Sequence, residues 1–144
     1  VEPTSLRPFP LSMNLLLGLV CDRAHQGPDG RLHIEGQYHD LYAPGFPAKH
    51  DLTLVTVLEW SRNDHGRYNF TVELMDPNGK PSLRGSGYTE VVEAAEGGPA
   101  ARTYYIEPLK DVVFPVAGTY QFRIQVKGAW HDGPTLYLWE QDEG

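Results

Sequence analysis

The stretch Tyr120-Gln121-Phe122-Arg123-Ile124-Gln125-Val126-Lys127 decides the fold class, because apolar and polar residues alternate along it with a period of two. Successive side chains of a β-strand point to opposite faces of the sheet. The alternation therefore predicts a strand with one face in the core and one in water, as is common in antiparallel sheets. Residues 68–74 (YNFTVEL) repeat the pattern. Residues 51–60 are rich in β-branched and apolar side chains and are predicted to be buried on both faces.

Patterns typical of β-strands recur along the chain, and no segment shows the sustained apolar period of 3.6 residues that indicates a helix. The 15 glycines and 12 prolines are spread throughout and divide the chain into short segments. Strands are predicted over residues 11–21, 31–38, 51–60, 68–74, 83–92, 103–109, 120–127 and 135–140. The prediction is an all-β, antiparallel β-sandwich of the immunoglobulin-like type with about eight strands. It forms a single domain over residues 11–144, after an extended lead-in over residues 1–10.

Charge and cysteine content exclude several classes of function. The formal net charge is −7 without a cluster of lysine or arginine, which disfavours nucleic acid and anionic membranes as partners. The single cysteine, Cys21, excludes an intramolecular disulfide and a four-cysteine zinc site. Residues 13–21 superficially resemble a lipoprotein signal, but the apolar run is short and a buried first strand is preferred. No run approaches the ~20 apolar residues of a membrane span.

Histidines in the predicted loops are candidate metal ligands. In an antiparallel sandwich alternate loops share one end, so the loops at 22–30, 61–66, 93–102 and 128–134 are expected to lie together. They carry His25, His65 and His131, and carboxylates stand beside them. Imidazole and carboxylate side chains suit zinc and other divalent ions. The alternative is that these are scattered, solvated loop residues.

The candidate ligand-binding residues are Trp130, His131 and Asp132, in the predicted last hairpin loop. An aromatic ring at a loop tip can anchor a partner or a sugar ring. The alternative is that Trp130 folds back over the core. Both faces of the last strand, residues 135–140, are apolar, which indicates a buried strand. An edge position would instead allow this strand to pair with a second copy of the chain.

Nucleophilic catalysis finds little support in the sequence. Cys21 follows an apolar run and is predicted to be a small core residue. Ser86 lies in Gly85-Ser86-Gly87 without the strand–turn–helix setting of a nucleophile elbow. The two glycines instead predict a bulge or close packing.

Two resemblances extend these predictions. Ala117-Gly118-Thr119-Tyr120-Gln121-Phe122 resembles the tyrosine corner of immunoglobulin-like sandwiches, in which the tyrosine hydrogen-bonds back to the preceding loop. The segments Leu19-Val20-Cys21-Asp22, Asp29-Gly30-Arg31-Leu32 and Phe46-Pro47-Ala48 are similar to an uncharacterised bacterial family of small sandwich proteins. Gly36, Asp40, Asp76-Pro77-x-Gly79 and Pro115-x-x-Gly118-x-Tyr120 also fit it. That resemblance implies a bacterial, cytoplasmic protein and supplies no activity or catalytic residue.

We therefore predict a non-enzymatic interaction module without a cofactor. Its partner would be another protein or a second copy, and neither nucleic acid nor membrane. Two alternatives remain at this stage: a binder of small molecules or carbohydrate, and a metal-dependent enzyme that uses the loop histidines and carboxylates. Fold alone does not choose among them.

Overall fold

The computed structural model describes residues 13–141 and shows nine strands in two sheets, without a helix in that range. The predicted lead-in of residues 1–10 lies outside the described residues. The first sheet has the strand order β2-β1-β4-β7, and the second has the order β3-β9-β8-β5-β6. The strands are β1 (Asn14–Gln26), β2 (Leu32–Tyr38), β3 (Asp40–Ala43), β4 (Ala48–Glu59), β5 (Gly66–Met75), β6 (Pro81–Val91), β7 (Arg102–Phe114), β8 (Gly118–Val126) and β9 (Ala129–Glu140).

One hydrophobic core fills the space between the sheets. The core face predicted from the alternation in residues 120–127 is confirmed, because Tyr120, Phe122, Ile124 and Val126 of β8 are all buried. They pack in one cluster with side chains of β4 and β5, which come from different sheets. Burying each such large side chain contributes about 1.5–3 kcal/mol.

Strand β4 is buried on both of its faces, as predicted for residues 51–60. Leu54 belongs to the main core, whereas Val55 points the other way and packs with Leu19 and Cys21 in a second, smaller cluster. Cys21 is therefore the small core residue that the sequence predicts.

The short strand β3 was missed by the sequence analysis, and it changes the topology. It pairs in parallel with β9, so the fold is not purely antiparallel. β3 also moves β9 inward: β9 lies between β3 and β8 and is not an edge strand. The all-β prediction is confirmed. The immunoglobulin-like type is not confirmed, because one of the sheets curls into a half-barrel.

The edges of the two sheets are connected differently on the two sides of the sandwich. On one side the chain passes from β2 to β3 through His39, whose carbonyl accepts a hydrogen bond from the Tyr137 amide. On the other side β6 and β7 are the terminal strands of their sheets and do not pair with each other. The chain connects them only through residues 92–101.

Tyr120 makes the corner hydrogen bonds that its sequence context predicts. Its hydroxyl donates to the Val116 carbonyl at 2.7 Å and accepts from the Val116 amide at 3.2 Å. Tyr38 provides a contrast, because its buried hydroxyl has no hydrogen-bond partner among residues 13–141.

We predict that Tyr120→Phe lowers the free energy of unfolding by about 1–2 kcal/mol, because two hydrogen bonds of the buried corner are lost. Chemical denaturation measures this change. Tyr42→Phe, at an exposed tyrosine, serves as the control and should leave the midpoint unchanged. Equal midpoints for Tyr120→Phe and the parent chain would contradict the corner's role.

The same hydroxyl deletion at Tyr38 should leave stability at neutral pH unchanged or raise it slightly, because no hydrogen bond is lost.

Burial, and then the charge of Asp22, raise the pKa of Tyr38 to about 12. Tyrosine in an unfolded chain ionises near pH 10. The contribution of Tyr38 to stability is therefore complete below about pH 10 and is lost as the pH rises to about 12. Tyr38→Phe should make this alkaline loss shallower, and an unchanged pH profile would contradict the assignment.

Candidate functional site

A groove of about 500 Å³ opens between the unpaired edges of β6 and β7. Opposite residues of antiparallel strands share a face, so the register with β5 shows which β6 residues point inward. Gly85 lies opposite Val72, and Gly87 lies opposite Phe70, and both of these β5 side chains are in the core. Two inward positions of β6 therefore carry no side chain, and a concave groove remains along this edge beside the buried core residues.

The two glycines have different steric surroundings. A Cβ added to Gly85 would meet no atom within 4 Å, so this glycine leaves open space. A Cβ added to Gly87 would lie 2.9 Å from Cζ of Phe70, so the ring itself occupies the place of a side chain. The predicted close packing is confirmed at Gly87. The alternative, a bulge, does not occur here, because the β5–β6 register is continuous across Gly85-Ser86-Gly87.

Strand β7 forms the opposite wall of the groove. Its Glu107 lies opposite the core residue Leu54, so the carboxylate is on the core-facing side of the sheet. Tyr105, two residues earlier, packs edge-on against Phe70 with ring centroids 4.6 Å apart. Glu107 is half-buried and forms no ion pair within residues 13–141.

Tyr105 and Glu107 are electrostatically coupled. Burial raises the pKa of the Tyr105 phenol above its ordinary value, and the charge and hydrogen bond of Glu107 raise it further. The phenol is therefore protonated at neutral pH and serves as a hydrogen-bond donor. Neither residue was among the site residues predicted from the sequence. The available signal was the alternation in residues 103–109, which places one carboxylate on an otherwise uncharged face.

A chain of hydrogen bonds through Thr103 closes one end of the groove, and its Thr103–Thr89 contact joins the two sheets. The indole Nε1 of Trp60 donates to the Thr103 hydroxyl at 2.9 Å, and that hydroxyl lies 3.3 Å from the Thr89 hydroxyl of β6. Arg62 contacts the carbonyls of Ala95 and Gly98 in the β6–β7 connection. β6 and β7 are thus held together where the connection leaves them.

The three candidate metal ligands are not brought together. His65 and His131 lie at the end where β4, β6 and β8 terminate, whereas His25 lies in the β1–β2 hairpin at the opposite end. The expected sharing of one end by all four loops is therefore wrong for residues 22–30. Strand β3 is the reason, because one additional chain reversal between β2 and β4 exchanges the ends of all later loops.

Each histidine has a separate environment. His25 stacks on His33 with ring centroids 4.8 Å apart. Nδ1 of His65 lies 3.2 Å from the Asn63 carbonyl oxygen. His131 belongs to β9, where its backbone lies opposite Ile124 of β8. Among residues 13–141 no three histidine, cysteine, aspartate or glutamate side chains group closely enough to hold a metal.

Asp64, a carboxylate in the loop at 61–66, organises the end of the fold at which β4 terminates. Its oxygens accept hydrogen bonds from the Ser61 amide, the Tyr68 hydroxyl and Nζ of Lys127. Burial alone would raise the pKa of Asp64, but these hydrogen bonds and the lysine charge outweigh burial and lower it. The carboxylate is ionised and fully engaged in holding the 60–65 loop.

Trp130 does not occupy a loop tip. The last hairpin turns at Lys127 and Gly128 alone, and both adopt positive φ angles, as a two-residue turn requires. Trp130 therefore lies in β9 on the outer face of the second sheet. Its ring is partly exposed, and the Arg123 guanidinium covers one side at 4.1 Å. Asp132 is opposite Arg123, and His131 points to the other face.

The outer face of β9 also carries Tyr137 and Trp139, and Tyr42 of β3 lies beside Trp139. All three side chains are exposed, whereas Leu136 and Leu138 are buried. The prediction that both faces of the last strand are buried is therefore wrong for its outer face. Nε1 of Trp139 donates to Asp40 at 2.8 Å, which fixes the indole on the surface.

Comparisons with known proteins identify a family without assigning an activity. The described residues contain no helix long and apolar enough to cross a membrane. A search of curated proteins gives no match. The model of a family of unknown function, DUF6941, matches residues 16–138, and the chain therefore belongs to that family.

Proposed function

We propose that this protein is a non-catalytic binding module that holds a small organic ligand in the groove between β6 and β7. The observation that carries the proposal is the pair of inward-facing glycines on β6, which leaves a concave groove beside core side chains of both sheets. Small-molecule sites are concave, mostly apolar and few in a protein, and volumes of about 300–1,000 Å³ are typical.

The wall chemistry supports binding by a mixed apolar and polar surface. Phe70, Val72 and Leu54 supply an apolar floor from β5 and β4. Tyr105 and Glu107 supply a hydrogen-bond donor and a carboxylate at one wall. A few fixed polar groups in an apolar groove orient a ligand and confer specificity.

The groove is held in place before any ligand arrives. Trp60, Thr103 and Thr89 link the two sheets at its closed end, and the Gly87–Phe70 contact fixes the ring in its floor. Preorganisation of this kind reduces the entropic cost of binding.

A variant that fills the groove tests the proposal. Gly85→Leu places a side chain in open space, and the backbone of Gly85 does not require positive φ, so the fold should be kept. With 2-naphthylmethanol as a neutral aromatic probe, we expect amide chemical-shift changes in β6 and β7 of the parent chain. Gly85→Leu should reduce the probe's affinity at least tenfold, because the added side chain occupies the probe's volume.

Thr71→Leu is the matched control, since it adds a leucine on the outer face of β5. It should bind the probe like the parent chain. Absence of shift changes in the groove, or equal binding by Gly85→Leu, would contradict the proposal.

Protein recognition is the second candidate function, and the exposed aromatic rings on the outer face of β9 and β3 favour it. Tyr42, Tyr137 and Trp139 form a contiguous surface, and aromatic residues are enriched at protein interfaces. A second copy of the chain is the simplest partner, because such a surface can pair with itself about a two-fold axis. Trp130, His131 and Asp132 lie on the same strand at its other end.

Sedimentation velocity over a concentration series tests self-association. We expect a dimer that Trp139→Ser dissociates, because the indole's contact area is removed. Val92→Ser, at an exposed apolar residue in the β6–β7 connection, should leave the dimer intact. A monomer at every concentration would remove this candidate.

A further inference from the structure

We infer that the ligand of the β6–β7 groove carries a protonated amine on an apolar, preferably aromatic, body and that Glu107 is its counter-charge. This inference rests on the proposed binding function and adds the chemical class of the ligand. Its starting point is the position of Glu107: the residue faces the core side of β7, opposite Leu54, and has no cationic partner within residues 13–141.

An ionised carboxylate in such a place is costly unless it is paired. Burying part of a charge sacrifices hydration, and a nearby opposite charge restores stability more effectively in apolar surroundings than in water. Tyr105 lies two residues from Glu107 on the same face of β7 and can satisfy one acceptor site, but a carboxylate has about four. Glu107 lines the groove, and its remaining acceptor sites suit the three donors of an ammonium group.

The surrounding charges favour the same ligand class. The chain has a formal net charge of −7, which attracts cations and repels anions at long range. Arg84 lines the rim of the groove, but its guanidinium pairs with Glu73 at 3.3 Å on the outer face of the sheet. Arg123 binds the same carboxylate, so Glu73 and its two arginines form a ladder directed away from the groove.

The apolar part of the groove defines the body of the ligand. Phe70 and Tyr105 already form an edge-to-face pair, and the open space at Gly85 lies next to Val72 on the same floor. A planar aromatic group can enter that space and contact the phenylalanine ring. Its ammonium group, one or two bonds away, can then contact Glu107 and the face of Tyr105, which also attracts cations.

Three probes with one ring system separate charge from shape: 2-naphthylmethylamine, 2-naphthylmethanol and 2-naphthoate. Each is titrated at pH 7 into the isotopically labelled full chain, and dissociation constants are taken from the shifts of groove amides. We expect the amine to bind at least tenfold more tightly than the alcohol, a difference of about 1.4 kcal/mol. The carboxylate should bind most weakly of the three, because Glu107 repels it.

Glu107→Gln should abolish the preference for the amine while keeping the affinity for the alcohol. Retained alcohol binding also demonstrates that the variant folds with its groove intact. Glu90→Gln makes the same charge change on the outer face of β6, opposite Arg67, and should keep the full preference.

The outcomes separate this inference from the proposed function. If the alcohol binds the groove and the amine binds no better, the amine assignment is wrong and the binding function stands. If the preference persists in Glu107→Gln, another group provides the charge and the assignment is also wrong. If none of the probes shifts groove amides, the proposed function and this inference fail together.

Discussion

The contact of Phe70 with Gly87 and Tyr105 is the constraint on which the open edge of this fold depends. Phe70 is a core residue of β5, and its ring reaches the position that a Gly87 side chain would occupy. The same ring packs edge-on against Tyr105 of the other sheet. One aromatic side chain thus joins the two sheets beneath β6, and a side chain at Gly87 would displace it.

Polar contacts at the end where β4, β6 and β8 terminate hold the two sheets in their positions beside the groove. Asp64 binds Tyr68 and Lys127 from β5 and the last hairpin, while Trp60 reaches Thr103 at the start of β7. The loop ends of both sheets are therefore tied by buried and half-buried hydrogen bonds, which are expensive to break. Farther along the strands, no backbone pairing joins β6 to β7. A fold that is fixed at one end and open along the adjoining edge produces a rigid groove.

The sequence predicted those strands whose side-chain pattern is set by burial within the strand itself. Alternation located the core face of β8, and a dense β-branched run located β4 with both faces buried. β3 was not predicted, because its four residues lie between turn-like segments and are too few to show a period of two. Its partner β9 is also distant in sequence, since Asp40 lies opposite Tyr137, about 97 positions later. That omission placed His25 at the wrong end of the molecule. A single missed strand reverses every later loop, which makes loop-based metal sites especially sensitive to such an error.

The groove could not be predicted, because it depends on which two sheet edges face each other. The sequence shows Gly85 and Gly87 inside a predicted strand, where glycine is unusual, and Glu107 as the one charged residue on its face of a predicted strand. Their meaning required the knowledge that β6 and β7 end their sheets side by side. The exposed tryptophan in the last hairpin attracted attention in the sequence, but its ring proved to be a partly covered strand residue on the outer face.

Backbone hydrogen exchange in β6 and β7 tests whether these two edges stay unpaired in solution. An edge strand has every second amide bonded to its neighbour and the others free. We expect alternating slow and fast amide exchange along residues 82–89 and 103–107. Uniformly slow exchange in both strands would mean that β6 and β7 pair with each other and that the groove is closed.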